Sequence, residues 1–84
     1  MSRSSNHRRY RATNLGRVLE SQGRKQRWLA ERIGVSSAYI SLIIAGERTV
    51  DRATGERIAE LLDIPLFLLF SLGEPNTIYS RANR

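Results

Sequence analysis

Residues 26–45 read QRWLAERIGVSSAYISLIIA, and this stretch decides the fold. It holds two short runs of apolar residues at helical spacing, joined by a tight turn at Gly34. We expect Gly34 to end the first helix with a positive φ and Ser36 to cap the second. The stretch therefore predicts two closely packed helices, whose inward-facing residues are Leu29, Ala30, Ile33, Val35, Ile40 and Ile43.

The composition bounds the class of protein. With 84 residues, 40% of them apolar, the chain is long enough for one small domain with a single core. It has no cysteine, which excludes disulfide bonds and thiolate metal sites, and its single His7 cannot hold a metal alone. The longest apolar run, residues 64–70, is much shorter than the roughly 18 residues of a membrane-spanning helix. We therefore expect a cytoplasmic protein without a cofactor, a metal, a small-molecule ligand or a membrane partner.

The positive charge is unevenly distributed along the chain. The net charge is +6, but residues 1–32 carry nine Arg or Lys and two Glu, a net +7, and the rest carries five Arg and six acidic residues, a net −1. Nearly all of these cations are Arg, whose planar guanidinium suits phosphate. This distribution indicates a nucleic-acid partner, although a solvated surface that aids solubility would explain it as well.

The remaining sequence predicts an all-α fold. Thr13 is a plausible cap for a first helix that ends at Gly23, and Asp51 is one for a fourth helix over residues 52–62. Pro65 fits the first turn of a short fifth helix, residues 66–72. We expect a compact five-helix domain over residues 13–72, between a flexible basic arm, residues 1–12, and a C-terminal tail, residues 73–84. The only alternation typical of a strand lies at residues 77–79.

The third helix has an outward face that is almost free of charge. A helix that is merely solvated would usually carry Lys and Glu there, so short side chains and an exposed leucine suggest that something covers this face. A DNA major groove about 12 Å wide could accept such a helix. The alternative is an ordinary helical hairpin in a small bundle. The residues of this face are Ser37, Ala38, Ser41, Leu42 and Ala45.

Residues 26–64 resemble the Xre/Cro/lambda-repressor family of helix-turn-helix regulators from phages and bacteria. The resemblance covers about residues 13–70 and implies a five-helix lambda-repressor-like domain that binds a double-stranded DNA operator, usually as a dimer. The matching residues are Gln26, Leu29, Ala30, Ile33, Gly34, Val35, Ser36, Ile40, Ser41, Ile43, Gly46, Ile58, Ala59 and Leu62.

The resemblance also implies roles for individual residues. Ser37, Ala38, Ser41 and Leu42 occupy the base-reading positions, with neighbouring Tyr39 as a further candidate. Gln26 is the position that touches phosphate and often supports a base-contacting side chain. The expected phosphate contacts are Gln26, Arg27, Ser36, Arg48 and Thr49, and the expected arm residues that wrap the duplex are Arg8, Arg9 and Arg11.

Two features depart from the family pattern. Many members have Gln, Arg or Lys at the base-reading positions, whereas Ser37 and Ala38 are too short for bidentate contacts. We therefore expect modest direct readout, supplemented by arm arginines in a narrow minor groove and by DNA shape. The Ile64–Phe70 segment is also unusually apolar, which predicts either a dimer surface or a lid folded onto the core. The candidate dimer residues are Leu66, Phe67 and Phe70.

These patterns favour a transcriptional repressor of Cro or immunity-repressor type, acting as a homodimer on the nucleoid of a bacterial or phage-infected cell. An antitoxin or a recombination accessory factor would also bind DNA, and a protein-interaction module is a third alternative. No cluster of residues suited to general acid–base or nucleophilic catalysis is present, so we do not expect an enzyme.

Overall fold

The computed structural model describes residues 8–73, which form five helices and two short strands. No helix in this part of the chain is long and apolar enough to cross a membrane. In chain order the elements are β1 (Arg9–Ala12), α1 (Leu15–Ser21), α2 (Gln26–Ile33), α3 (Ser37–Ile44), α4 (Arg52–Leu62), α5 (Leu66–Leu69) and β2 (Phe70–Gly73).

The turn between α2 and α3 forms as the sequence predicts. Gly34 has φ 79°, and its N–H donates to the carbonyl of Ala30, which closes the last turn of α2. The Ser36 hydroxyl accepts a 3.0 Å hydrogen bond from the N–H of Tyr39 and so caps α3. Ala30, which was expected to face inward, is buried with 2% of its surface exposed.

Helix α4 is fixed at both ends. Asp51 accepts a hydrogen bond from the N–H of Thr54 at 3.0 Å, which confirms the predicted cap. Asp63 ends the helix in the left-handed region at φ 59°. Within the helix, Gly55 leaves room for α5, because a Cβ there would lie 3.0 Å from Cδ1 of Leu66.

The N-terminal arm was wrongly predicted over part of its length. Residues Arg9–Ala12 form β1, which pairs antiparallel with β2 in the register Arg9 to Gly73 and Ala12 to Phe70. The opposite edge of β1 forms a bridge in which Tyr10 and Val50 exchange both backbone hydrogen bonds, at 2.8 and 2.9 Å. The strand forms because the Tyr10 side chain is buried, with 2% of it exposed, and its backbone needs partners in that environment. Residues 1–7 lie outside the described residues.

The predicted fifth helix also ends early. Helix α5 stops at Leu69, because Phe70 has an extended backbone with φ −134° and ψ 157° and begins β2. The fold is thus the expected compact, mostly helical domain of five helices, with a small two-stranded sheet in addition. Of the predicted tail, Gly73 is the last residue of β2, and residues 74–84, with the alternation at 77–79, lie outside the described part of the chain.

One hydrophobic core connects the helices with the sheet. No polar or charged side chain is buried among residues 8–73. Trp28, Ile33, Val35 and Ile44 are partly buried and pack against the core from the side. The fully buried side chains from the helices are Leu15, Leu29, Ile40, Ile43, Ile58, Leu62 and Leu69, and those from the sheet and its bridge are Val50 and Phe70.

Candidate nucleic-acid interface

Helix α3 presents the uncharged face that its sequence predicts. Ile40 and Ile43 are completely buried against the core. On the opposite side, Leu42 is partly buried, and the short residues Ser37, Ala38, Ser41 and Ala45 are exposed. The exposed face therefore consists of hydroxyl and methyl groups, which can approach base edges closely in a major groove.

A side-chain hydrogen bond joins the start of α2 to the middle of α3. The hydroxyl of Ser41 donates to Oε1 of Gln26 at 2.7 Å, and both residues are exposed. Gln26 is the first residue of α2, where backbone N–H groups lack partners within the helix and attract an anion. The bond orients Ser41 on the exposed face and uses only the oxygen of the Gln26 amide, whose NH₂ group can still donate. Gln26 was predicted to contact phosphate and Ser41 to read a base, and the structure brings their side chains into contact.

The loop after α3 carries two of the other predicted phosphate-contacting residues, Arg48 and Thr49. Arg48 is exposed, and its guanidinium carbon lies 5.9 Å from the ring centroid of Tyr39. Tyr39 is partly buried under this arginine, so its ring supports the loop instead of extending freely from α3. Gly46 begins the loop with φ 82°, a conformation that favours glycine.

The arm arginines do not share one surface. The Arg9 guanidinium donates from Nε to the hydroxyl of Thr49 at 3.1 Å and from Nη2 to the carbonyl of Thr49 at 2.8 Å. Arg11 also faces the loop, since its Cδ lies 3.9 Å from the position that a Cβ on Gly46 would take. Arg8 instead lines a pocket with Tyr10 and Phe67. Sequence reasoning missed this division because it treated residues 8–11 as unpaired backbone, although the order Arg-Tyr-Arg is itself an alternating pattern.

A second basic surface includes Gln26 itself. A groove between α1, α2 and the start of α3 is lined by four cations, Arg17, Arg24, Lys25 and Arg27, together with two carboxylates, Glu20 and Glu31. The Arg24 guanidinium stacks on the Trp28 ring at 4.1 Å from its centroid. Trp28 is partly buried against the core, so it both packs and holds this arginine in place.

The predicted dimer residues are divided between the core and the surface. Leu66 is 9% exposed and Phe70 is 1% exposed, so both are used within the chain itself and are not available to a partner. This corrects two of the three residues. Phe67 is 64% exposed, and two residues that the prediction omitted, Leu68 and Leu72, are 60% and 38% exposed. These three residues are called the apolar patch below.

The ionisable groups with perturbed pKa values lie at the start of α4. The hydrogen bond from the Thr54 hydroxyl and the one from its N–H lower the pKa of Asp51 from its usual 3.8, and the charge of Arg9 acts in the same direction. Glu56 accepts a hydrogen bond from Arg52 at 2.8 Å and raises the pKa of that guanidinium. Within residues 8–73, no three His, Cys, Asp or Glu side chains are close enough together to hold a metal ion. The described site thus offers groups for binding, namely hydroxyls, methyls and guanidiniums.

Comparison with known proteins agrees with this geometry. The sequence pattern of a family described as "Helix-turn-helix" matches residues 15–69. A solved structure of a "putative DNA-binding protein" from Bacteroides fragilis is similar with a TM-score of 0.68 and 27% sequence identity, over 74% of this chain and 98% of that one. No significant match was found among curated proteins. The family match spans α1 to α5, whereas β1 and β2 lie outside it.

Proposed function

The chain belongs to the Xre/lambda-repressor-like helix-turn-helix family, and we propose that it is a transcriptional repressor that binds a double-stranded DNA operator in a sequence-specific manner. In this proposal α3 lies in the major groove. The bound bases are read by Ser37, Ala38, Ser41 and Leu42, with Tyr39 supporting Arg48 at the end of the helix.

The observation that carries the proposal is the contrast between α3 and its surroundings. The exposed face of α3 has no charged side chain, yet cations flank it: Arg27 lines a groove with Ser37 at the start of the helix, and Arg48 lies in the loop after its end. An α-helix with its side chains is about 10–12 Å across, so α3 fits a major groove about 12 Å wide. The bare face would meet the bases, and the flanking cations would meet the two phosphate strands that border the groove.

The chemistry of the face sets the type of readout. Ala38 and Leu42 can contact thymine methyl groups, and the Ser41 hydroxyl can donate to or accept from a base. None of these side chains can make a bidentate pair with guanine or adenine, so each direct contact contributes less discrimination than an Arg or Gln would. Phosphate contacts supply the larger part of the affinity, from Gln26, Arg27, Ser36, Arg48 and Thr49.

We further propose that the protein binds as a homodimer of Cro or immunity-repressor type, on the nucleoid in the cytoplasm. The apolar patch of Phe67, Leu68 and Leu72 supports this, because burying two such side chains from each chain would contribute several kcal/mol at about 1.5–3 per side chain. Two copies related by a twofold axis would place their α3 helices on half-sites about one DNA turn apart. An antitoxin would use the same DNA interface and hold its toxin on the patch, so a monomer in solution that dimerises neither alone nor on DNA would favour that alternative.

Selection of bound duplexes from a random pool tests the proposal most directly. We expect one enriched half-site, repeated as an inverted pair, whose spacing reports the dimer geometry. Binding to this site should weaken steeply between low and physiological salt. If no duplex is enriched and no mobility shift occurs even at low salt, the proposed function is wrong.

A pair of variants tests the role of α3. Ala38→Glu places a carboxylate on the exposed face, and we expect the affinity for the selected site to fall by at least about tenfold, equivalent to the loss of one good base contact. Arg57→Gln is the control, because it makes the same change in net charge at a residue whose guanidinium bonds the carbonyl of Arg32 near the end of α2, away from Gln26. Equal losses in the two variants would mean that net charge, and not the face of α3, determines binding.

A further inference from the structure

Strand β1 brings two arginines to the end of α3. Because side chains alternate along a strand, burial of Tyr10 directs Arg9 and Arg11 to the opposite face. On that face Arg9 bonds both the hydroxyl and the carbonyl of Thr49, and Arg11 lies against Gly46. The two guanidiniums thus join Arg48 around the loop that follows α3, residues 46–49.

We propose that Arg9 and Arg11 bind phosphates of the DNA strand next to the end of α3, and that β1 holds them there as a fixed part of the loop. This proposal rests on the proposed function, since it extends the same interface. It replaces the expectation that these arginines enter the minor groove as a flexible arm. The partner chemistry is the phosphodiester backbone of duplex DNA.

The pairing of β1 supports phosphate binding over minor-groove entry. The backbone of β1 bonds β2 along one edge and bonds Val50 at Tyr10 along the other. A segment held on both edges cannot extend into a minor groove about 6 Å wide, which admits a single extended arm. Its side chains can still reach a backbone that passes over the loop, because Arg9 and Arg11 are both exposed.

The hydrogen bonds of Arg9 leave it able to bind a further anion. A guanidinium has five N–H donors in a fixed fork, and Thr49 uses one from Nε and one from Nη2. Three donors remain, which is enough for a bidentate pair with a phosphate. Because the two bonds to Thr49 already fix the side chain, binding would cost less conformational entropy than for a free arginine.

The acidic groups of this region leave the arginines able to attract phosphate. Glu47 is exposed in the loop, and Asp51 follows it. The Asp51 carboxylate accepts from the N–H of Thr54 in capping α4, so it is directed at that helix. Three guanidiniums and two carboxylates leave a net positive charge beside α3.

The salt dependence of DNA binding tests the proposal. The probe is the duplex selected for the wild-type protein, titrated over a fourfold range of salt concentration with wild type, Arg9→Gln, Arg11→Gln and Arg8→Gln. Loss of one phosphate contact lowers the magnitude of the slope of log affinity against log salt by about 0.9. The ratio of wild-type to variant affinity should therefore fall about 3.5-fold from the lowest to the highest salt concentration of that range. We expect this for Arg9→Gln and Arg11→Gln, with no change in the selected sequence. Arg8→Gln is the matched control, because Arg8 lies on the other face of the strand beside Phe67.

One further variant keeps the test decisive. Arg9→Lys keeps the charge and loses the forked bond to Thr49, so its slope should equal that of wild type even if its affinity falls. Unchanged slopes in both glutamine variants, or an altered preference for A·T pairs beside the half-site, would overturn the proposal while leaving the proposed function intact. Failure of the wild-type protein to bind any duplex would overturn both.

Discussion

Truncation of Tyr10 to alanine should destabilise the whole domain. This residue lies outside the segment matched by the helix-turn-helix family, within a part of the chain that the sequence alone predicts to be mobile. In the structure, however, it is 2% exposed, its ring centroid lies 6.4 Å from that of Phe67, and its backbone bonds Val50. The side chain therefore belongs to the core.

The size of the effect follows from the area that the ring removes from water. A buried tyrosine covers about 150 Å² or more, which at about 25 cal/mol per Å² corresponds to about 4 kcal/mol. Aromatic-to-alanine changes in cores cost about 3–5 kcal/mol, and we expect Tyr10→Ala to fall in that range. Small domains are stable by about 5–15 kcal/mol in total, so the variant should lose a large part of its free energy of unfolding.

Urea unfolding followed by circular dichroism measures this change. Tyr10→Phe keeps the ring and should remain within about 1 kcal/mol of wild type. Arg8→Ala, on the exposed residue two positions earlier, should change the free energy of unfolding by less than about 0.5 kcal/mol. If the free energy of unfolding of Tyr10→Ala lies within about 1 kcal/mol of the wild-type value and the m-value is unchanged, β1 is not part of the cooperative core. The reasoning from burial then fails.

Three further predictions concern a turn, a cap and the apolar patch. Gly34→Ala should lower the free energy of unfolding by about 1 kcal/mol, measured in urea, because an alanine at φ 79° is strained although no atom crowds its Cβ; Gly34→Asn should lose less. The lowered pKa of Asp51 implies a stabilisation that is present above its usual pKa of 3.8 and is lost as the pH falls through the lower folded-state pKa. In Asp51→Asn, whose side chain still caps α4, the free energy of unfolding should therefore depend less on pH in this acid range. Phe67→Glu should shift the protein towards monomer in analytical sedimentation. Its thermal midpoint should change by only a few degrees, since Phe67 is 64% exposed. A dimer that persists in this variant would exclude the apolar patch as the interface.

Much of the helical framework could be predicted from the sequence because its signals are local. Ser36 and Asp51 accept the capping hydrogen bonds expected of them, and Gly34 has the positive φ expected at its turn. The orientation of α3 follows in the same way from the spacing of Ile40 and Ile43. Each of these features depends on residues within about one helical turn of each other.

The sheet could not be predicted because its signals are short and its partners are distant. Each strand has four residues, which gives too few alternations to separate a strand from an arm or from the end of an apolar helix. Arg9 meets Gly73 and Thr49 only after the helices have packed. For the same reason the sequence could name Arg9 and Thr49 as candidate site residues but not show that they bond each other.

The pairing of β1 with β2 also has a consequence for the order of folding. The pairing joins Arg9 to Gly73, so the chain segment between the two paired strands includes nearly all of the described residues. The contacts between α2 and α3, in contrast, are local. Closing such a loop is entropically unfavourable until other contacts shorten it, so we expect the helices to assemble first and the strands to pair last. Strand amides should then exchange with solvent before helix amides, and Tyr10 variants should accelerate unfolding more than they slow folding.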